Sequence, residues 1–113
     1  LKGKIDGVAV RVPTPNVSLV DLVFCSKRTV SVDAINEALS KAAETSLKGV
    51  LGVEKEPLVS VDYNGCELSS IADLTNTMVM GPNMAKVFSW YDNEMGFSHR
   101  MIDVARFIAD KGL

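Results

Sequence analysis

Two side chains in this sequence stand where they could grip a small anionic or amide-bearing ligand. Arg11 lies in VAVRVPTPN, on the minority face of an alternating apolar run and two residues before the first of two prolines. Its guanidinium is a planar fork of donors that matches a phosphate or a carboxylate. The same fork suits a carboxylate at a sheet edge, and the pattern alone leaves both readings open. Asn93 lies in SWYDNEMGFSHR, between Asp92 and Glu94, where an apolar run changes to polar residues. A carboxamide both donates and accepts, so it pairs reciprocally with another carboxamide. The spacing serves equally well for helix capping by Asp92 or Asn93.

The remaining conspicuous residues read as structural. Trp90 and Tyr91 fall at strand positions and suit a core or an interface. Asp21, inside VSLVDLVF, is expected as a buried carboxylate with its hydrogen bonds made. His99 has no cysteine near it and reads as an ordinary, partly exposed helix residue rather than a catalytic base. Cys25 and Cys66 are far apart in strand-like surroundings, which suggests reduced, buried thiols rather than a disulfide or a zinc site. Met78, Met80, Met84, Met95 and Met101 are expected to fill the core. Gly49 and Gly52 in KGVLG lack the spacing of a phosphate-binding loop. No catalytic residue and no metal ligand is assigned.

These residues need elements to hold them. Within GVAVRVPTPN (7–16), the alternation of Val8, Val10 and Val12 predicts a strand that Pro13 and Pro15 then stop. A second strand over 17–27 is apolar on both faces, as for a strand between two layers or against another subunit. Ser31 is a predicted N-cap, followed by a helix whose stripe is Val32, Ile35, Leu39, Ala42 and Ala43. Strands are predicted over 58–64, 69–74, 77–80 and 84–91, with turn chemistry at Gly81-Pro82-Asn83. A closing helix is predicted over 95–111, burying Phe97, Met101, Val104, Ala105 and Ile108. Short links between consecutive strands favour antiparallel pairing. The fold class is therefore α+β, a mostly antiparallel or mixed sheet with helices on one face.

Composition narrows the function classes. The chain has 113 residues, 47% hydrophobic and 23% charged, as for one globular domain. Its net charge of −2 and the lack of a Lys/Arg cluster argue against nucleic acid as partner. No apolar run approaches the roughly 18–20 residues that span a bilayer. The sequence opens on Leu1, and LKGKIDG reads like a passage under way, so a piece of a longer polypeptide is expected.

RVPTPNVSLVDL (11–22), LKGVLG (47–52) and SWYDNEMGFSHR (89–100), in that order, resemble the glyceraldehyde-3-phosphate dehydrogenase family. The resemblance covers essentially the whole chain. It implies that residues 1–94 are the C-terminal part of the catalytic domain. Residues 95–113 would be a helix returning to a Rossmann cofactor domain absent from this sequence. It further implies that Arg11 holds a phosphate of the substrate or acyl acceptor, and that Asn93 hydrogen-bonds the nicotinamide carboxamide of NAD or NADP. Phe97 stands where the family usually has tyrosine near the nicotinamide, so the packing surface is kept and the hydroxyl lost.

The implied reaction oxidises glyceraldehyde 3-phosphate through a cysteine thioester, passes hydride to NAD(P) and ends in attack by inorganic phosphate, in glycolysis or carbon fixation. Its cysteine, histidine and Gly-rich segment have no match here, so this stretch alone is expected to be inactive. The implied assembly is a homotetramer in the cytoplasm or a plastid. Two alternatives accompany this reading: an erythrose-4-phosphate dehydrogenase, and a non-catalytic assembly or interaction fragment.

Overall fold

The structure is a computed structural model and describes residues 1–112. Its frame is a four-stranded mixed sheet in the order β1-β4-β3-β2. The strands are β1 (Ser18–Cys25), β2 (Leu51–Glu54), β3 (Ser70–Met80) and β4 (Met84–Tyr91), and the helices are α1 (Val32–Glu44) and α2 (Met95–Lys111). β4 pairs antiparallel with β1 and β3, while β2 runs parallel to β3. The α+β class expected from the sequence is the class observed.

Local chemistry explains the elements that were legible. Ser31 accepts the backbone N–H of Ala34 at 3.2 Å and starts α1, with Asp33 in the first turn where the helix dipole favours negative charge. Ile35, Leu39, Ala42 and Ala43 turn inward and are half-buried, and the helix packs on β2 and β3. Asn36 ties it down. The Asn36 amide donates to Leu74 O at 3.1 Å, and its oxygen accepts from Thr77 Oγ1 at 2.7 Å. The turn at Gly81-Pro82-Asn83 closes the β3–β4 hairpin as expected.

Several expectations need correction. Residues 7–16 form no strand, and Val8, Val10 and Val12 are 89%, 77% and 62% exposed. A strand exists by pairing, and no strand lies beside this run among the described residues. Residues 58–64 instead hold a short 3₁₀ turn, Ser60–Tyr63. There the Asp62 carboxylate accepts the Val59 N–H at 2.9 Å, a local bond that competes with a ladder. The two strands expected over 69–80 are one, β3, with a register shift between Asp73 and Met78. Thr75 and Asn76 in that irregular stretch donate to Asp73 instead of to a neighbouring strand. β2 was not anticipated, because four residues containing Gly52 carry little strand signal.

The side chains expected in the core also depart from expectation. Among the described residues, the buried apolar ones are Val17, Tyr63, Ile71, Ala72 and Ala85. Asp21 is exposed at the sheet surface and pairs with Lys86 at 2.8 Å across β1 and β4. Cys25 is exposed, Cys66 half-buried beside the core, and both are free thiols. Met78, Met80, Met84, Met95 and Met101 are exposed rather than core-filling. So is the α2 stripe of Phe97, Met101, Val104, Ala105 and Ile108, because the body of that helix meets no strand face of this chain. Both faces of β1 are largely open, with Leu19, Val20, Leu22 and Val23 exposed. The total accessible surface is 8533 Å². A compact monomer of this mass would expose about 6,100 Å².

Candidate functional site

The polar end of β4 is built on a stacked aromatic base. Leu19, Trp90, Ile71 and Gly52 form one row across the sheet. Tyr63 stacks on Trp90 with ring centroids 5.5 Å apart. The Trp90 indole donates to Asp73 at 3.3 Å. Burial pushes the Asp73 carboxyl upward, but hydrogen bonds from Thr75, Asn76 and Trp90 outweigh it and hold the group below the usual range. The Tyr63 hydroxyl is buried with no partner among the described residues. Burial, aided by the nearby charges of Glu54 and Asp73, pushes its pKa up to about 12.

One residue beyond β4, Asp92 is buried and accepts four hydrogen bonds. Oδ1 takes the backbone N–H of Glu94 at 3.0 Å and of Met95 at 2.9 Å. Oδ2 takes the backbone N–H of Gly65 at 2.9 Å and the Asn16 amide at 2.7 Å. The N–H groups of Met95, Glu94 and Gly65 hold this carboxyl far below the usual range, with Asn16 adding to them against the opposing effect of burial. Of the two capping candidates, Asp92 is therefore the one that meets N–H groups at the start of α2, those of Glu94 and Met95.

Asn93 is exposed beside it and donates to Ser18 Oγ at 2.6 Å. Its carbonyl oxygen has no partner among the described residues. Phe97 projects from the first turn of α2 and is 68% exposed. The start of α2 is fixed by close packing. Gly96 is buried, and a Cβ there would sit 2.8 Å from the Leu68 carbonyl oxygen. The guanidinium of Arg100 donates to Gly49 O at 3.1 Å and to Ser69 Oγ at 3.2 Å. His99 Nε2 lies 3.3 Å from Glu67 Oε1, and its other ring nitrogen 3.1 Å from Met95 O, a helix role as expected.

Arg11 lies in the irregular run ahead of β1, with its side chain in solvent. Among the described residues it forms no ion pair, so the sheet-edge carboxylate reading finds no partner. The run is anchored at its far end, where Asn16 also donates to Asn64 at 3.2 Å. Val17, the next residue, has φ +70°, a left-handed conformation uncommon for a β-branched side chain, and is buried in the core. The structure thus joins the segments of Arg11 and Asn93 through Asn16 and Asp92, without direct contact between the two predicted site residues. Asn16 was not singled out in the sequence. The available signal was a polar residue closing a proline-locked run.

Residues 1–93 match the family model described as glyceraldehyde 3-phosphate dehydrogenase, C-terminal domain. The chain belongs to this family. Among curated relatives, a glyceraldehyde-3-phosphate dehydrogenase of Priestia megaterium is 60% identical over 113 residues, which is 100% of this chain and 34% of the relative. The enzyme of that name from Geobacillus stearothermophilus is 58% identical with the same coverage. Glyceraldehyde-3-phosphate dehydrogenase B, chloroplastic, of Pisum sativum is 53% identical over 112 residues, 98% of this chain and 25% of the relative. The chain spans about a third of the length of the bacterial glyceraldehyde-3-phosphate dehydrogenases it matches.

Proposed function

We propose that this chain is the C-terminal part of a phosphorylating glyceraldehyde-3-phosphate dehydrogenase that uses NAD or NADP. Residues 1–94 complete the catalytic domain, and residues 95–113 return to a Rossmann domain supplied by the rest of the protein. Leu113, the end of that segment, lies outside the described residues. The observation that carries the reading is the 2.7 Å bond between Asn16 and Asp92, which brings RVPTPN and WYDNE to one end of the sheet. A phosphate fork and a nicotinamide-binding amide are needed there together. The excess surface and the exposed stripe of α2 support a body that continues beyond these residues.

In this reading Arg11 is free to accept an oxyanion of glyceraldehyde 3-phosphate or of inorganic phosphate. Asn93 presents its unpaired carbonyl oxygen to the amide N–H of the nicotinamide carboxamide, while Ser18 holds the other end of the side chain. Phe97 offers an apolar wall beside it. The cofactor, when bound, supplies the hydride acceptor. The cysteine nucleophile and histidine base come from the rest of the protein. The open faces of β1 suit burial against another subunit, as in a homotetramer. The bacterial relatives favour a cytoplasmic enzyme, and the chloroplastic relative makes a plastid the other setting. No described helix is long and apolar enough to cross a membrane.

Arg11→Leu in the whole enzyme tests the assignment. Losing a charge-assisted phosphate contact raises KM for the phosphorylated aldehyde and for phosphate by about 10–100-fold. Unchanged constants for both refute it. Turnover of glyceraldehyde 3-phosphate against erythrose 4-phosphate by the parent enzyme fixes the substrate.

A further inference from the structure

We propose that Asp92 is a positioning residue that sets the loop of Arg11 and the turn of Asn93 against each other, and so couples phosphate binding to nicotinamide binding. This rests on the roles given to Arg11 and Asn93 above. The geometry divides the carboxylate into two halves. Oδ1 holds the N–H groups of Glu94 and Met95, the two residues that follow Asn93, and so fixes the turn from which that amide projects. Oδ2 holds the Asn16 amide and the Gly65 N–H, which anchor the end of the Arg11 loop and the link after the 3₁₀ turn. Four donors fill the four lone-pair directions of an ionised carboxylate, and no neutral side chain of this size can take all four.

The conformation next to Asn16 strengthens the case. Val17 is held at φ +70° while its side chain is committed to the core with Tyr63 and Ile71. A β-branched residue stays there only where its surroundings over-determine it. The pull of Asp92 on Asn16 is one of the contacts that does so. If Oδ2 lets go, the loop can relax toward an ordinary backbone, and Arg11, five residues back, moves with it. If Oδ1 lets go, the Asn93 turn opens. Neither movement requires Asp92 to touch a ligand.

Asp92→Asn in the whole dehydrogenase is the test. The amide keeps one acceptor oxygen and points an NH2 at two of the four donors, so one half of the clamp fails outright and the other, no longer braced against it, loosens with it. KM for NAD(P) and KM for inorganic phosphate are both expected to rise about tenfold. The dissociation constant of ADP-ribose, which lacks the nicotinamide, should stay within twofold. Both KM values within twofold of the parent, a rise in only one, or a parallel loss of ADP-ribose affinity overturns the proposal; the last would mark a merely structural residue. Should Asp92→Asn yield no soluble enzyme, Asn16→Ala removes a single donor. It should raise the cofactor KM together with the phosphate KM, and a rise in the phosphate KM alone overturns the coupling. Arg11→Leu and Asn93→Ala are measured alongside. If they too leave both constants unmoved, the functional reading has failed; if they move them while the Asp92 variant does not, only this inference has.

Discussion

Replacing Gly96 by alanine should loosen the start of α2 and disturb Asn93 without touching any proposed ligand contact. The added Cβ would meet the Leu68 carbonyl oxygen at 2.8 Å, the Leu68 carbonyl carbon at 3.3 Å and Ser69 Cα at 3.2 Å. All three are backbone atoms at the entrance to β3, so the helix must shift by several tenths of an ångström. Overpacking of this kind costs about 1–3 kcal/mol, and the better helix propensity of alanine returns at most about 1. The net expectation is a loss of about 1–2 kcal/mol, read as a lower urea midpoint of the whole protein, with a raised cofactor KM because Asn93 immediately precedes the displaced turn. Gly52→Ala is the control. Its Cβ would lie closer still to a neighbour, 2.6 Å, but that neighbour is the Leu68 Cδ1 atom at the tip of a flexible side chain. A rotamer change absorbs it, so the loss should stay under about 1 kcal/mol. If Gly96→Ala is as stable as the parent, or Gly52→Ala is the more damaging, the reasoning from backbone contact is wrong.

Acid should weaken the site end of the sheet first. Asp92 and Asp73 both have folded pKa values below the unfolded value of about 3.9. Their contribution is complete above that pH and is lost as pH falls from about 4 through the folded values. Urea midpoints measured from pH 6 down to pH 2.5 should show the decline, and Asp92→Asn should flatten it. Tyr63→Phe removes a buried hydroxyl that has no partner, so stability should hold or rise by up to about 1 kcal/mol. The parent protein's tyrosine absorbance should correspondingly include one group that ionises near pH 12.

Legibility in the sequence followed the range of the interactions. Ser31, β4 and α2 were readable because caps, alternation and helical spacing are local. The strand expected at Val8, Val10 and Val12 was a true alternation without a ladder partner, which no local pattern reveals. At Tyr63 alternation was misleading, since Asp62 folds the backbone back on itself within four residues. Asp21 was misread because a carboxylate inside an apolar run can be buried with partners or turned outward to a cross-strand lysine, and only the β1–β4 register decides. At the site, residue types and motif resemblance pointed to Arg11 and Asn93. The bond that joins their segments could not be read, because Asn16 and Asp92 are separated by most of the chain and meet only once β1 has docked on β4.

That docking has a consequence for biosynthesis. β1 leaves the ribosome long before β4, its only strand partner among the described residues. At about 5–20 residues per second, the 66 residues from Ser26 to Tyr91 take roughly 3–13 seconds to emerge. Throughout that interval SLVDLVFC is an adhesive ribbon with no place to go. The single charge at its centre, Asp21, interrupts it as a gatekeeper would, discouraging nascent chains from zipping together, and later finds Lys86 when the hairpin arrives.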